Sequence, residues 1–371
     1  MGYSKYHFHL PESLLAKEPA NPRDSARLFV YDTKTDSIQF DTFYNLDRYL
    51  PPDATLVLNE TRVIASRISL VKKTGGKVTC LFLVNEKTNS SDVVRVMVDR
   101  KISVGDSLWL ASTSRASKPM VTCTSHLSES VFEFRIHMSR DALLRILDKE
   151  GTMPIPLYLR HTSLSKETLI QRYQTIYAAS KQSNIKSPMG SEEKLYSVAA
   201  PTAGLHFTER VFEKLKAKGI ETTKVVLEVG LGTFAPLTAE ALEQGKLHTE
   251  WYLVPERTRL IIQKQKRAGK PIFAVGTTVV RALESYGKEL QQSRSSSSEY
   301  LQTDIFIEEG HPFQMIDGLI TNFHLPDSSL IMLVAAFLKY KKAKRSIIDL
   351  YTIAIKERFR FYSFGDSMII R

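Results

Sequence analysis

Cysteine is nearly absent from this sequence, which contains only Cys80 and Cys123 in 371 residues. The two lie far apart and lack the C-x-x-C spacing of zinc-binding and redox sites. The histidines also lack metal-ligand spacing such as H-x-x-x-H. We therefore expect no metal site, and we expect both cysteines to be small buried apolar residues in a reducing compartment.

Long apolar runs are absent as well, because no stretch approaches the roughly 20 residues that a membrane-spanning helix needs. The first residues, Met1 to Lys5, are followed by charged and proline-containing sequence rather than by the apolar region of a secretory signal. These absences predict a cytoplasmic protein that has no membrane partner.

Positive charge, by contrast, is in excess. The chain has 51 lysines and arginines against 40 aspartates and glutamates, a formal net charge of +11. This balance favours a polyanionic partner such as nucleic acid, with a well-solvated basic surface as the alternative. The run KYKKAKR, Lys339 to Arg345, interleaves a tyrosine with five cations. Such a run can meet phosphates and a stacked base, or it can be a solvated helix end.

The pattern of apolar residues divides the chain into two domains, as its length also suggests. Between Ile64 and Met138, short β-branched runs alternate apolar and polar residues and are separated by turn signals, which predicts a small antiparallel barrel. On both sides, strand-like and helix-like runs alternate, as in an α/β domain. We therefore predict an α/β fold, a mixed sheet covered by helices, with an inserted small antiparallel β-barrel. The predicted boundaries are 1–63 and 151–371 for the α/β domain and 64–150 for the inserted barrel.

One loop carries a lone histidine to the start of a helix. VAAPTAGLHFTERVFEKL ends a run of turn residues at His206, and a helical pattern follows that we expect to begin at Phe207 or Thr208. The positive end of a helix disfavours protonation of a neighbouring imidazole, so His206 is expected to be neutral and able to accept a proton. The alternative is a structural histidine that hydrogen-bonds the loop.

A second loop joins an apolar strand to a helix. In FAVGTTVVRALES the strand ends at Gly276, and Thr277 and Thr278 open a helix that contains Arg281. Open N–H groups at a helix start, beside threonine hydroxyls, can bind an anion or a carboxylate. The alternative is a simple strand-to-helix turn in which a threonine caps the helix.

A third loop, EVGLGTFAPL, has Gly230 and Gly232 directly after a strand. The spacing resembles a dinucleotide fingerprint, but the third glycine position is Ala235 and Pro236 follows, so a Rossmann phosphate loop is disfavoured. A tight glycine turn that lets the backbone approach a flat ligand stays open.

Two further segments carry clustered polar residues. TNFHLPDSS places Asn322 and His324 between a strand and a helix. NPRDSARL contains Arg23, Asp24 and Arg27, and a solvated salt-bridge cluster is the commoner outcome for such a run.

Taken together, these motifs resemble those of the S-adenosylmethionine:tRNA ribosyltransferase-isomerase family, and the similarity covers nearly the whole chain. The segments that carry it are NPRDSARL, LNETRVIASR, GGKVTCLFL, GTMPIPLYL, RYQTIYA, VAAPTAGLHFTE, VGLGTF, AVGTTVVRALES, DGLITNFHLPDSSLIMLVAAF and FRFYSFGDSMII. Several are long and unusual, and they occur in the family's order.

The resemblance implies an α/β body with an inserted β-barrel, and it also implies a reaction. The ribosyl part of S-adenosylmethionine moves onto the aminomethyl group of 7-aminomethyl-7-deazaguanine at the wobble position of a tRNA with a G-U-N anticodon, giving epoxyqueuosine. Adenine and methionine leave. S-Adenosylmethionine is then a consumed co-substrate, tRNA is the partner, no metal is implied, and we expect a monomer.

This chemistry needs a proton acceptor beside the sulfonium, a proton donor for the departing adenine, and aromatic or carboxylate groups around the cation. The candidates for proton transfer are His206, His324 and Asp24, with Asp366 in reserve. The aromatic candidates, each otherwise a core residue, are Tyr173, Phe207, Phe234 and Phe323.

Anionic groups of the substrates need donors as well. We predict that Thr277, Thr278 and Arg281 hold the methionine carboxylate or a tRNA phosphate. Arg172 and the run at 339–345 are candidates for the tRNA surface. The remaining predicted substrate-binding residues are Arg23, Arg27, Thr202, Gly232, Thr233 and Asn322.

The sequence departs from the family's pattern at three positions. Glu228 stands where a histidine commonly precedes the V-G-x-G-T-F element, Glu60 where an asparagine or aspartate is common, and Val279 where a serine is common. These departures leave the individual roles of the three positions open.

Two other functions stay open from the sequence. An S-adenosylmethionine-dependent methyltransferase shares the donor but releases S-adenosylhomocysteine in place of adenine. A non-catalytic RNA-binding module explains the charge and the barrel, but not the Gly-Thr and histidine loops.

Overall fold

The computed structural model describes residues 3–86, 88–114, 116–128, 130–155, 162–179, 196–230, 243–291 and 300–371. The strands are β1 Arg27–Asp32, β2 Ser37–Thr42, β3 Thr55–Asn59, β4 Arg67–Lys72, β5 Lys77–Leu83, β6 Val93–Val98, β7 Ser107–Leu110, β8 Val121–Ser128, β9 Val131–Ile136, β10 Glu221–Glu228, β11 Lys246–Leu253, β12 Ile272–Val275, β13 Leu301–Ile305, β14 Gly318–Asn322 and β15 Ser367–Ile370. The α-helices are α1 Arg140–Glu150, α2 Lys166–Arg172, α3 Glu209–Ala217, α4 Glu256–Arg267, α5 Thr277–Gln291, α6 Ser329–Tyr340 and α7 Ile347–Lys356.

The strands in the middle of the chain form the predicted barrel. Strands β4 to β9 pair antiparallel and close in the order β4-β5-β6-β9-β8-β7, with β7 paired to β4. Successive side chains of a strand face opposite sides, and the barrel interior holds the buried side chains of Cys80, Phe82 and Cys123. Both cysteines are therefore buried, as expected. Every barrel strand lies within the predicted interval 64–150, and the domain boundaries themselves stay a prediction.

The other nine strands form one mixed sheet in the order β13-β11-β10-β3-β12-β14-β15-β1-β2. The neighbours β10, β3, β12 and β14 are parallel, so their ends meet at one edge, at Glu228, Asn59, Val275 and Asn322. We call this the carboxyl edge, and it is where open α/β sheets bind ligands. Strand β15 is antiparallel to β14 and parallel to β1, so it joins β1 and β2 to the rest. The predicted mixed sheet with an inserted barrel is confirmed.

Helices cover both faces of this sheet. Along β1, Leu28 and Val30 pack into one apolar cluster and Phe29 and Tyr31 into another, because alternate residues face opposite sides. The first cluster is completed by α3 and the 3₁₀ helix Phe43–Tyr49, and the second by α5, α6 and α7. Within the ranges that the structure describes, no helix has the length and apolarity needed to cross a membrane.

Serine side chains set where several helices begin. Ser139, Ser165 and Ser328 each accept a hydrogen bond from the backbone N–H three residues later, at the starts of α1, α2 and α6. At the start of α7, Ser346 and Asp349 form a reciprocal capping box. The sequence therefore fixes these helix starts locally.

The sheet contains one glycine that packing requires. Gly318→Ala is expected to destabilise the protein by about 1–3 kcal/mol through overpacking. Gly318 of β14 lies opposite Phe273 of β12, and a Cβ on Gly318 would be 2.1 Å from Phe273 Cε1. Urea unfolding measures the loss, with Gly76→Ala as the control, because a Cβ there meets nothing within 4 Å. Equal losses in the two variants would rule out crowding by Phe273 as the cause.

Candidate active site

A cavity of about 1170 Å³ opens at the carboxyl edge of the sheet. Its walls include Val229 after β10, Gly276 after β12 and Asn322 at the end of β14. Eight of the residues predicted from the sequence line it: Tyr173, Thr202, Thr277, Thr278, Arg281, Asn322, Phe323 and His324. Residues far apart in the chain thus meet here because the parallel strands end side by side.

The N-terminus of α5 forms one wall of the cavity. Gly276 has φ +93°, a left-handed conformation that favours glycine, and its carbonyl accepts hydrogen bonds from the N–H groups of Val279 and Val280. Thr277 is therefore the first helical residue and not the cap. The N–H groups of a first helical turn have no partner within the helix, and the helix dipole favours negative charge there. This wall is suited to a carboxylate or phosphate.

Arg281, one turn further along α5, is anchored by a buried carboxylate. Its Nη1 forms an ion pair with Glu250, and its Nε donates a hydrogen bond to the carbonyl of Ile305. Glu250 also accepts a hydrogen bond of 3.1 Å from the N–H of Gly230. Nη2 of Arg281 is buried and has no hydrogen-bond partner among the described residues. The guanidinium is thus fixed at the cavity with one donor group unused.

His324 follows β14 and lies in the cavity wall. Its Nε2 is 2.9 Å from Oγ1 of Thr321, and its backbone N–H donates to the hydroxyl of Tyr351. Burial lowers the pKa of His324 to about 3. The imidazole is therefore neutral at neutral pH and can accept a proton.

His206 lies behind Asn322. It ends the 3₁₀ helix Thr202–His206, and α3 begins at Glu209, later than predicted. Its Nε2 is 3.4 Å from Nδ2 of Asn322. Burial, opposed by Asp366, lowers the pKa of His206 to about 4. The imidazole is neutral, as predicted, but the main cause is burial and not the start of α3.

Asp24 occupies a different place from the one predicted. Its fully buried carboxylate accepts hydrogen bonds from Thr208 and from Arg210, which together keep its pKa below the usual value against the effect of burial. Among the described residues it does not line the cavity. Asp24 joins the start of α3 to the segment Arg23–Ser25, and its role in proton transfer stays a prediction.

Asp366 is likewise a structural residue. It is buried, and it accepts hydrogen bonds from the backbone N–H groups of Arg27 and Arg360 and from the Arg360 guanidinium. The structure does not bring this carboxylate to the cavity wall within the described residues. Its hydrogen bonds hold the start of β1 against β15, and its reserve role in proton transfer stays a prediction.

The other predicted residues fall into three groups. Arg23, Arg27 and Arg172 lie outside the cavity wall as described. Phe207 is buried in the core, where its ring contacts those of Phe43, Tyr177 and Phe212, which corrects its predicted role as aromatic surface. Gly232, Thr233 and Phe234 lie outside the described residues. Phe323 borders the cavity but is fully buried.

Two buried glutamates near the cavity were not predicted as site residues. Glu250 lines it, and Glu228 accepts a hydrogen bond of 2.7 Å from Thr61. Burial, with a contribution from Glu250, raises the pKa of Glu228 to about 8. The sequence of β11, KLHTEWYL, has three polar residues in a row at 248–250, so it gave no signal that Glu250 faces a cavity.

Comparisons with known proteins agree with this architecture. The chain matches the family model described as queuosine biosynthesis protein over residues 3–370. It is 38% identical to the S-adenosylmethionine:tRNA ribosyltransferase-isomerase of Thermoanaerobacter sp. (strain X514) and 37% identical to that of Caldanaerobacter subterraneus subsp. tengcongensis, with 100% of both chains covered in each case. A crystal structure of S-adenosylmethionine tRNA ribosyltransferase from Thermotoga maritima matches with a TM-score of 0.51 and 28% identity, over 99% of this chain and 100% of that one. The chain therefore belongs to the queuosine biosynthesis protein family, with the S-adenosylmethionine:tRNA ribosyltransferase-isomerases.

Proposed function

We propose that this protein transfers and isomerises the ribosyl group of S-adenosylmethionine onto 7-aminomethyl-7-deazaguanine at the wobble position of a G-U-N tRNA. The products are epoxyqueuosine in tRNA, adenine and methionine. The observation that carries the proposal is the cavity at the carboxyl edge, in which the N-terminus of α5 and a neutral His324 lie together. Membership of the family supports the same reaction.

The cavity has the size and the groups that such a donor needs. Ligand pockets for drug-sized molecules are about 300–1,000 Å³, so a cavity of about 1170 Å³ has room for a nucleoside donor and part of a second base. We assign the methionine carboxylate to the N–H groups of Thr277 and Thr278 and to Arg281. Tyr173 offers an aromatic side chain, and a sulfonium cation is attracted to such a ring.

Proton transfer is assigned to the imidazoles next to β14. The hydrogens on the carbon beside a sulfonium are acidic, and His324, neutral and in the cavity wall, is the group placed to take one. Asn322 accepts from Thr202 and donates to the carbonyl of Tyr362, which fixes its side chain between the cavity and His206. We therefore assign His206 a positioning role that acts through Asn322. The protein is proposed to act in the cytoplasm as a monomer.

The test is incubation of the protein with S-adenosylmethionine labelled in its ribose and tRNA that carries the deazaguanine precursor. We expect label in the modified nucleoside and an equal amount of released adenine. Transfer RNA with unmodified guanine at the wobble position is the control, because it lacks the aminomethyl nucleophile. Release of S-adenosylhomocysteine would instead identify a methyltransferase, and RNA retention without donor turnover would identify a binding module.

A further inference from the structure

Three arginines at the carboxyl edge of the sheet have no carboxylate partner within the part of the chain that the structure describes. Arg23 donates to the carbonyls of Gln174 and Gln171 at 2.7 and 2.6 Å, and Arg172 donates to Oδ1 of Asn21 at 3.1 Å. All these acceptors are neutral amide oxygens. The two side chains lie close together, because Arg23 bonds the residue before Arg172 and Arg172 bonds a residue two positions before Arg23. Burial and the charge of Arg172 lower the pKa of Arg23. Like charges held side by side favour an anion between them.

The third arginine is held in a comparable way. Arg27 donates to the carbonyl of Glu357, and its guanidinium lies 3.8 Å from the centre of the Phe359 ring. Within the described ranges, neither Arg27 nor Arg23 nor Arg172 forms an ion pair with a carboxylate. Because their side chains are fixed by neutral partners, these arginines keep their full charge for a ligand while losing little further side-chain freedom on binding.

An exposed aromatic ring with cations beside it lies next to these arginines. Tyr44 is 36% exposed, and its ring centre is 4.7 Å from Cζ of Arg210 and 4.1 Å from Nζ of Lys214. Arg210 pairs with Asp24, which directly follows Arg23, and Lys214 pairs with Asp47. A ring flanked by cations is the arrangement on which proteins stack single-stranded bases while holding the phosphates.

These residues form one surface that borders the active site. We name it the arginine belt, and its members are Arg172, Arg23, Arg27, Arg210, Lys214 and Tyr44. Arg172 precedes Tyr173, which lines the cavity, and the turn Arg23–Ser25 packs against the 3₁₀ helix Thr202–His206, whose Thr202 also lines it. The belt therefore lies at the carboxyl edge of the sheet, where the cavity opens.

The basic run at 339–345 is a weaker anion surface. Lys339 pairs with Glu309, Arg345 pairs with Asp36, and Lys341 donates to the carbonyl of Asp317. Two of the run's five cations are therefore neutralised by carboxylates. Because Asp317 directly precedes the first residue of β14, the run also lies at the edge of the sheet opposite the cavity. Lys342 and Lys344 are exposed, and neither forms an ion pair in the part of the chain described.

We propose that the arginine belt, and not the run at 339–345, is the surface on which the RNA strand next to the modified nucleotide docks, with an unpaired base stacked on Tyr44. This inference rests on the proposed function. The inference adds where the RNA binds: its phosphates lie at Arg23, Arg27 and Arg172, and the base next to the modified nucleotide reaches the ring of Tyr44.

Binding without turnover tests the surface. The full-length protein is titrated with a fluorescein-labelled anticodon stem-loop, and anisotropy is followed at several salt concentrations. Arg172→Gln is expected to weaken binding about fivefold and to lower the slope of log K against log salt by about 0.7–0.9, the value for one lost phosphate contact. Tyr44→Leu is expected to weaken binding about 5- to 50-fold with an unchanged slope. Tyr44→Phe is expected to bind as tightly as the unaltered protein, since base stacking needs only the ring.

The controls separate this proposal from simple loss of charge and from failure of the function. Arg100→Gln, on the exposed surface of the barrel domain, makes the same charge change and is expected to leave affinity and slope unchanged. Unchanged binding by Arg172→Gln and Tyr44→Leu, or a lowered slope in the Lys342→Gln/Lys344→Gln double variant alone, would overturn the proposal. If the belt variants lose RNA but the unaltered protein transfers no ribosyl label, the surface stands and the proposed function fails. If the unaltered protein transfers the label but the belt variants bind RNA as well as it does, the proposed function stands and the docking surface fails.

Discussion

Replacing His324 by alanine is expected to lower kcat by about 10²- to 10⁴-fold, the range that a positioned proton-transfer group contributes. Among the three proton-transfer candidates, the described cavity wall contains only His324. Its imidazole is neutral because burial lowers its pKa to about 3, so the unprotonated form that accepts a proton is fully populated at neutral pH. Adenine release at saturating donor and tRNA measures the effect.

Two further histidine variants separate proton transfer from folding. His324→Gln can keep a hydrogen bond to Thr321 but cannot take up the proton, so its kcat is expected to fall as far as that of the alanine variant. His126→Ala, on an exposed part of barrel strand β8, is the matched control and should retain full turnover. His206→Ala should lose less activity than His324→Ala, because Asn322 stands between His206 and the cavity. Full turnover by a folded His324→Ala protein would refute the assignment.

Glu228→Gln is expected to stabilise the protein, and more so as the pH rises. Burial raises the pKa of Glu228 from 4.5 to about 8, so between these values the folded protein keeps a proton that the unfolded chain releases. The unfolded state then binds fewer protons than the native state, and the free energy of unfolding falls as the pH rises from about 4.5 to 8. At about 1.4 kcal/mol for each unit of pKa difference, the unaltered protein loses about 3–5 kcal/mol of its free energy of unfolding by pH 8. Glutamine does not titrate, so the Glu228→Gln variant does not lose this stability as the pH rises.

Urea unfolding at pH 5, 6.5 and 8 measures this dependence. The two proteins should differ little at pH 5, and the variant should gain on the unaltered protein at each higher pH. Glu213→Gln, an exposed carboxylate on α3, removes the same charge and should show no such growing difference. Parallel stability curves for Glu228→Gln and the unaltered protein would show that the Glu228 carboxyl is not held protonated by the fold.

Much of the fold follows from short-range patterns. Strands β4 to β9 alternate apolar and polar residues because one face of each lines the barrel, and a period of two is visible in any single strand. The turn from β12 into α5 was visible as well, since a glycine followed by two threonines both ends the strand and begins the helix. These features depend on residues close together in the sequence, and so a single chain reveals them.

The site was harder to predict because its contacts join distant residues. NPRDSARL offered Asp24 either as a proton-transfer candidate or as part of a local salt-bridge cluster, but its partner Arg210 is 186 positions away. Glu250 meets Arg281 only because β11 and α5 pack together. The neutral state of His206 was expected from the start of α3, yet it arises mainly from burial among elements that no local pattern connects. Sequence patterns indicate which residues can do chemistry, and tertiary packing decides which of them face the ligand.

The place of β15 in the sheet has a consequence for the order in which the protein can assemble. This strand comes last in the chain, yet it lies between β14 and β1, with ladders to both. During synthesis, therefore, the first hairpin, β1 and β2, emerges early and has to stay unattached to the central strands until Ser367–Ile370 has left the ribosome. Until then β1 and β14 both present unpaired edges, which favour pairing with other chains.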